Sequence, residues 1–316
     1  MTSTQRSIEL SDLPDRVRLF GQYDRNLSAI EEALDVSVQA DGDWIRVNGR
    51  PEDVERAESV VRRMIDAARG GAYVTPDDVA LAFSDLRENA AGRALPETLI
   101  ETQRGRSVRP RTQGQRRFVE SVESKTLTIG IGPAGTGKTY LAIVMAVRAL
   151  RNREVARVVL SRPAVEAGEK LGFLPGDLRE KVDPYMRPLF DALNDLLGPQ
   201  VVDKQIDRGT LEVAPLAYMR GRTLSDAFVI LDEAQNATSD QLKMFLTRLG
   251  SASRMVVAGD ETQIDLPSGE RSGLRDAANR LSGIDDVGIV ELDEGDVVRH
   301  PLVAKIIRAY GAPRAK

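Results

Sequence analysis

The chain has 316 residues, 41% hydrophobic and 29% charged, with a formal net charge of −4, proportions of a folded water-soluble chain with room for two domains. It has no cysteine, which excludes disulfides and thiolate metal sites, and its one histidine, His300, argues against imidazole-built zinc sites and a Ser-His-Asp triad. No apolar run reaches the ~18 residues of a membrane span, and Met1–Pro14 lacks the charged-then-apolar order of a signal peptide. The expected location is therefore cytoplasmic, without a membrane partner. The acidic balance means that any nucleic-acid binding must come from local patches.

Residues 1–15 are polar and read as a flexible N-terminus, followed by a compact domain over 16–90. Val17, Leu19 and Phe20 suggest a short strand, and Leu27, Ile30 and Leu34 recur at helical spacing after the loop Gly21-Gln22-Tyr23-Asp24. Strands Val36–Gln39 and Trp44–Asn48 flank Asp41-Gly42, a hairpin signal. Gly49 closes the second strand. Pro51 then opens a helix that carries Val54, Ala57, Val60, Val61, Met64 and Ile65, and a further helical piece runs from Pro76 to Arg87.

The order of loop, helix Asn26–Glu32, hairpin and final helix resembles a KH-type RNA-binding module, a small α+β fold whose G-x-x-G loop clamps nucleic-acid backbone. Here that loop is Gly21-Gln22-Tyr23-Asp24, with Asp24 where the second glycine belongs. A carboxylate there repels phosphate and blocks close backbone approach. Direct RNA binding through the loop and a protein-docking role both stay open.

Residues 91–111 read as a basic linker, with Arg93, Arg104, Arg106, Arg109 and Arg111, and with Pro96 and Pro110 as breakers. A charge run of this kind is either a solvated connector or a phosphate-tracking arm. It lacks the aromatics that base stacking would use.

The third region, 112–316, carries the strongest signal. An apolar run, Leu127–Ile131, feeds the loop Gly132-Pro133-Ala134-Gly135-Thr136-Gly137-Lys138-Thr139, and an apolar helical stretch begins at Tyr140. Strand, G-x-x-x-x-G-K-[ST] loop and helix together are the context of a phosphate-binding loop. Its glycines let successive N–H groups turn inward on an anion, and the helix adds its positive end. Lys138 is expected to reach the β- and γ-phosphates of ATP, and the Thr139 hydroxyl to ligate Mg²⁺.

Further apolar runs, Arg157–Ser161, Leu211–Pro215, Phe228–Asp232, Met255–Gly259 and Val287–Leu292, alternate with helical segments. They predict an α/β fold, a parallel sheet covered by helices on both faces. Ligands bind at the carboxyl ends of such strands, where Phe228-Val229-Ile230-Leu231-Asp232-Glu233-Ala234-Gln235 ends in two carboxylates. Asp232 is expected to hold Mg²⁺, and Glu233 to activate the attacking water. Gln263, in Gly259-Asp260-Glu261-Thr262-Gln263, can sense the γ-phosphate through its amide, and Gln115 can read the adenine edge. His300, alone before Pro301, reads as structural.

Gln115, the phosphate loop, Asp232-Glu233 and Gly259-Asp260-x-x-Gln263 occur in the order of the first ATPase core of superfamily 1 helicases, which they resemble. Ser161-Arg162-Pro163-Ala164-Val165-Glu166-Ala167-Gly168-Glu169-Lys170-Leu171-Gly172-Phe173-Leu174-Pro175-Gly176 and Val297-Val298-Arg299-His300-Pro301-Leu302-Val303 are similar to segments of the PhoH family of ATPases. The resemblance implies a RecA-like P-loop NTPase with a KH-like domain before it, and ATP hydrolysis linked to single-stranded RNA. It also implies a helicase-like role and a tie to an endoribonuclease of ribosomal RNA maturation. The roughly 55 residues beyond Gln263 are too few for a second core domain. An arginine on the γ-phosphate would then come from this domain or from a neighbouring subunit of a homo-oligomer, such as a hexameric ring. Arg271 and Arg299 are the candidates, whereas Arg162 is placed to couple nucleotide state to a bound strand. A different class of function stays open, an ATP-state switch that recruits a nuclease without unwinding.

Overall fold

The computed structural model describes residues 3–10, 16–70, 72–87, 98–163 and 178–298, with backbone alone over 178–184. It divides into two compact units, the first formed by residues up to 98 with 109–113, the second by 99–108 and the chain from 114.

The first unit is α+β. Strand β1 (Thr4–Glu9) is followed by α1 (Arg16–Phe20), α2 (Arg25–Ala33), the hairpin β2 (Val36–Asp41) and β3 (Trp44–Gly49), and helices α3 (Pro51–Arg69) and α4 (Pro76–Arg87). The sheet is antiparallel in the order β1-β3-β2, with Ile8 opposite Ile45 and Val38 opposite Val47 on its buried face. The hairpin turns at Gly42 with φ +56°, the left-handed conformation that glycine adopts without strain. Helix α3 starts on Pro51 with Glu52 and Asp53 in its first turn and Arg69 in its last, as the helix dipole favours. Its Val54, Ala57, Val61 and Met64 face inward with Leu19, Phe20, Leu27 and Ile30. Each aliphatic side chain buried this way contributes about 1.5–3 kcal/mol.

Two expectations for this unit are corrected. The residues expected to be loose supply β1, which reads as polar because only Ile8 of its six side chains is buried. Val17–Phe20 is helix rather than strand: one helical turn buries Leu19 and Phe20 together and leaves Val17 exposed, which strand alternation could not do. The stretch read as a linker is also built into structure where it is described. Ile100 and Val108, on the short strands β4 (Ile100–Glu101) and β5 (Ser107–Val108), are buried in the second unit. Arg109 is buried in the first, where it pairs with Asp78 at 3.3 Å and donates to the Tyr73 carbonyl at 2.7 Å.

The second unit holds a six-stranded parallel sheet among its described residues, ordered β11-β6-β10-β9-β7-β8. The strands are β6 (Leu127–Ile131), β7 (Arg157–Arg162), β8 (Leu211–Pro215), β9 (Ala227–Leu231), β10 (Arg254–Gly259) and β11 (Val287–Glu291), each within a residue or so of the predicted run. Helices α5 (Gln113–Ser124), α6 (Lys138–Arg151), α7 (Leu178–Leu197) and α8 (Pro199–Asp207) cover one face. Helices α9 (Ser239–Leu246) and α10 (Leu274–Leu281) cover the other. Alternation assigns the strand residues to the two layers: Val158, Leu160, Phe228 and Ile230 pack against α6 and α7, and Val159, Val229, Leu231 and Val257 against α9 and α10. No helix among the described residues is long and apolar enough to cross a membrane. Strand β10 lies between β6 and β9, so three strand ends bearing polar residues stand side by side. That is where the site forms.

Candidate nucleotide site

Strand β6 ends at Ile131 and the chain curls through Gly132–Gly137 into α6. Gly135 and Gly137 have φ of +89° and +80°, and a side chain in that region costs about 1–2 kcal/mol. Gly132 is required for a different reason: a Cβ there would lie 2.5 Å from the Leu292 carbonyl oxygen. The loop is braced from outside. Gly132 N–H donates to the Gly259 carbonyl, Ala134 N–H to Asp260 Oδ2 at 2.8 Å, and Val298 N–H to the Gly135 carbonyl.

Lys138 curls back over its own loop, donating to the carbonyls of Gly132 at 2.6 Å and Pro133 at 2.9 Å and to Thr136 Oγ1 at 3.1 Å. Burial lowers its pKa, opposed by the charges of Asp260, Asp232 and Glu233. An ammonium held by neutral carbonyls in this way can exchange them for phosphate oxygens.

Thr139 Oγ1 donates to Asp232 Oδ1 at 2.5 Å, joining the helix start to the end of β9. Burial raises the pKa of Asp232, opposed by the Thr139 hydrogen bond and the Arg162 charge. A hydroxyl beside a buried carboxylate is a hard-oxygen pair of the kind that holds Mg²⁺ together with phosphate oxygens, so these residues fit the ion.

Glu233 stands next along the chain with φ +53°, a left-handed conformation rare for a residue with a side chain. Its Oε1 accepts from Arg162 Nη2 at 2.6 Å and its Oε2 from Gln235 Nε2. Gln235 is fully buried and spans the strand ends: its amide also donates to the Gln263 carbonyl at 3.0 Å, and its Oε1 accepts from Asp260 N–H at 2.9 Å. Burial works against the Asp260 carboxylate, but hydrogen bonds from Thr262 and Ala134 and the charge of Lys138 outweigh it and lower its pKa.

These groups surround one cavity of ≈ 270 Å³, lined by Ala134, Gly135, Gly137, Lys138, Thr139, Tyr140, Asp232, Glu233, Gly259, Asp260 and Gln263. Most of the candidates named from sequence therefore converge. Gln115 lies under the loop, its amide donating to the Thr136 carbonyl at 2.9 Å. Arg271 is exposed and makes no ion pair with any described residue. Arg299, His300 and residues 164–176 lie outside the described residues. Sequence reasoning missed Gln235, although it is the fourth residue of Asp-Glu-Ala-Gln. It also missed Asp195, which accepts from the Tyr140 hydroxyl and from Arg106, each at 2.8 Å. Burial, with Asp195 beside it, pushes the Tyr140 phenol up to about 12. Nothing in the sequence linked residues so far apart.

A phosphate loop after one strand, paired carboxylates two strands away and a polar strand end between them define a P-loop nucleotide-binding protein with a RecA-like α/β core. The chain belongs to the PhoH-like protein family, whose model matches residues 107–311. A PhoH-like protein of Mycobacterium tuberculosis is 51% identical over 298 residues, covering 93% of this chain and 84% of the relative. One from Bacillus subtilis is 49% identical over 305 residues and covers 96% of each. Protein PhoH of Escherichia coli is 46% identical over 202 residues, 63% of this chain and 57% of that protein. The SWI2/SNF2 ATPase core of Sulfolobus solfataricus aligns over 57% of this chain and 43% of its own at 12% identity and a TM-score of 0.35, too remote to bear on function.

Proposed function

We propose that the protein is a Mg²⁺-dependent ATPase whose hydrolysis is coupled to binding or remodelling single-stranded RNA. The observation that carries the ATPase reading is the convergence of Lys138, Thr139, Asp232 and Glu233 on a single cavity. Thr139 and Asp232 would hold the ion, which when bound neutralises phosphate charge. Lys138 leaves the loop carbonyls for the phosphates, the loop N–H groups cradle them, and Glu233 orients a water and accepts its proton. Gln263, on the same wall, reads the terminal phosphate, and Gln115 sets the loop beneath it.

The RNA reading rests on the first unit. The loop Gly21–Asp24 joins α1 to α2, with Tyr23 91% exposed and with Gly21, Tyr23 and Asp24 all at positive φ. A protruding aromatic ring on this turn suits an unstacked base of single-stranded RNA. Asp24 favours a second reading, in which the unit docks an endoribonuclease and nucleotide state controls recruitment without unwinding.

Turnover of ATP with and without single-stranded RNA separates the two. The motor reading expects RNA to stimulate turnover, with the stimulation lost in Lys138→Ala and Glu233→Gln. Turnover indifferent to RNA would sink it and leave the docking role.

The arginine that completes the site comes, on this reading, from a neighbouring copy in a homo-oligomeric ring, with Arg271 or Arg299 as candidates. Arg271 is exposed and carries no ion pair with described residues, whereas Arg275 nearby is locked between Glu261 and Glu291. Arg271→Ala and Arg299→Ala subunits, each mixed with wild type, should depress turnover beyond simple dilution for whichever residue acts in trans. A strictly proportional loss in both mixtures would exclude that role.

A further inference from the structure

We infer that Arg162 is the positioning residue of the water-activating carboxylate and not itself a contact of the nucleotide, an assignment that rests on the ATPase reading above. Arg162 closes β7, the strand hydrogen-bonded to β9, and Asp232 N–H donates to the Ser161 carbonyl at 2.9 Å. This register puts its guanidinium beside Asp232-Glu233. Nη2 donates to Glu233 Oε1 at 2.6 Å, Nη1 to the Tyr185 carbonyl of α7 at 2.9 Å, and Nε stands 3.8 Å from Asp232 Oδ2. Arg162 is absent from the residues that line the nucleotide cavity, while Glu233 is among them. The guanidinium therefore grips the carboxylate from behind.

The side chain is only 18% exposed, so its contacts are shielded from solvent. The planar fork puts Nη2 on the carboxylate and Nη1 on the helix carbonyl at a fixed spacing, which the compact ammonium of a lysine does not reproduce. With Gln235 on the other oxygen, Glu233 is fixed at both ends of its carboxylate despite its left-handed backbone. Such a clamp sets the direction in which a water is held. It also links that direction to α7, so a movement of α7 would change how well the base is aimed.

The experiment compares Arg162→Gln and Arg162→Lys with the wild-type full-length chain. The readouts are kcat and KM for ATP, and the affinities of fluorescent ADP and of a non-hydrolysable triphosphate analogue measured by titration. A base displaced by about 1 Å loses about a hundredfold in rate. The expected result for Arg162→Gln is thus a kcat lower by about that factor, with KM and both affinities nearly unchanged, and for Arg162→Lys a partial recovery. A selective loss of triphosphate affinity would show that Arg162 touches the γ-phosphate, and a rise in kcat that it restrains Glu233; either overturns the assignment. Unchanged kinetics would reduce the pair to an ordinary ion pair and overturn it too. A wild-type chain that binds nucleotide without turnover overturns the ATPase reading and this assignment with it, whereas an active wild type with an indifferent Arg162→Gln overturns this assignment alone.

Discussion

Glu233→Gln is expected to lower kcat by about 10²–10⁴, the contribution of a positioned general base, while nucleotide affinity stays the same or rises. The substitution is nearly isosteric, so the cavity keeps its shape. What changes is chemistry: an amide oxygen accepts a hydrogen bond from water but cannot take its proton. The amide also meets a conflict of donors, because Glu233 now accepts from Arg162 on one oxygen and from Gln235 on the other. Either orientation of a glutamine sets its NH₂ against one of those donors. Removing a negative charge beside Asp232 and Asp260 also relieves repulsion of an incoming phosphate, which is why binding should not weaken. Steady-state kinetics and a direct nucleotide titration check both halves. A fall of less than tenfold would mean that Glu233 is not the base and that the water is oriented from elsewhere, with Gln263 on the same cavity wall as the first alternative. Equal losses in kcat and kcat/KM would mark an interaction made only in the transition state.

The parts of this site that were legible in the sequence are those written in contiguous residues. The phosphate loop has its strand before it and its helix after it, and the Asp232-Glu233 pair ends an apolar run, so each fixes its own place in a parallel sheet. The sheet itself was legible because five-residue apolar runs between helical stretches have few other uses. What could not be read is how the tips of separate strands meet. Arg162 and Glu233 are 71 positions apart and Tyr140 and Asp195 are 55 apart. A side-chain pairing over such a distance leaves no periodicity. The first unit shows the same limit in its backbone: β1 has one buried side chain, Ile8, and polar neighbours on an edge strand look the same as a loose terminus. Arg104, Arg106 and Arg109 were read together as a charge run, yet Arg106 serves Asp195 and Arg109 is buried against Asp78. Composition locates charge but not its partner.

Arg63→Leu is expected to destabilise the first unit by about 3–5 kcal/mol, the cost of leaving a buried charge without its partner. Arg63 lies on α3 among Val60, Val61 and Met64, all fully buried, and is itself 8% exposed. It pairs with Asp85 of α4, which is 0% exposed, and donates through Nη1 to the Ala82 carbonyl at 3.1 Å. The leucine would pack well against those aliphatic neighbours, but it would take from the fully buried Asp85 the guanidinium it pairs with. The chain contains one tryptophan, Trp44, on β3 of this same unit, so urea unfolding followed by tryptophan fluorescence reports the first unit alone. A cost below about 1 kcal/mol would place the pair with solvated surface bridges. The double variant Arg63→Leu with Asp85→Leu should recover most of the loss, because an apolar pair of similar volume removes the need for compensation. If RNA acts through this unit, Arg63→Leu at a temperature where the unit is unfolded should abolish RNA stimulation and leave basal turnover intact. The double variant should restore it. Stimulation that survives unfolding of the first unit would move the RNA contact to the P-loop unit, and with it the origin of the coupling.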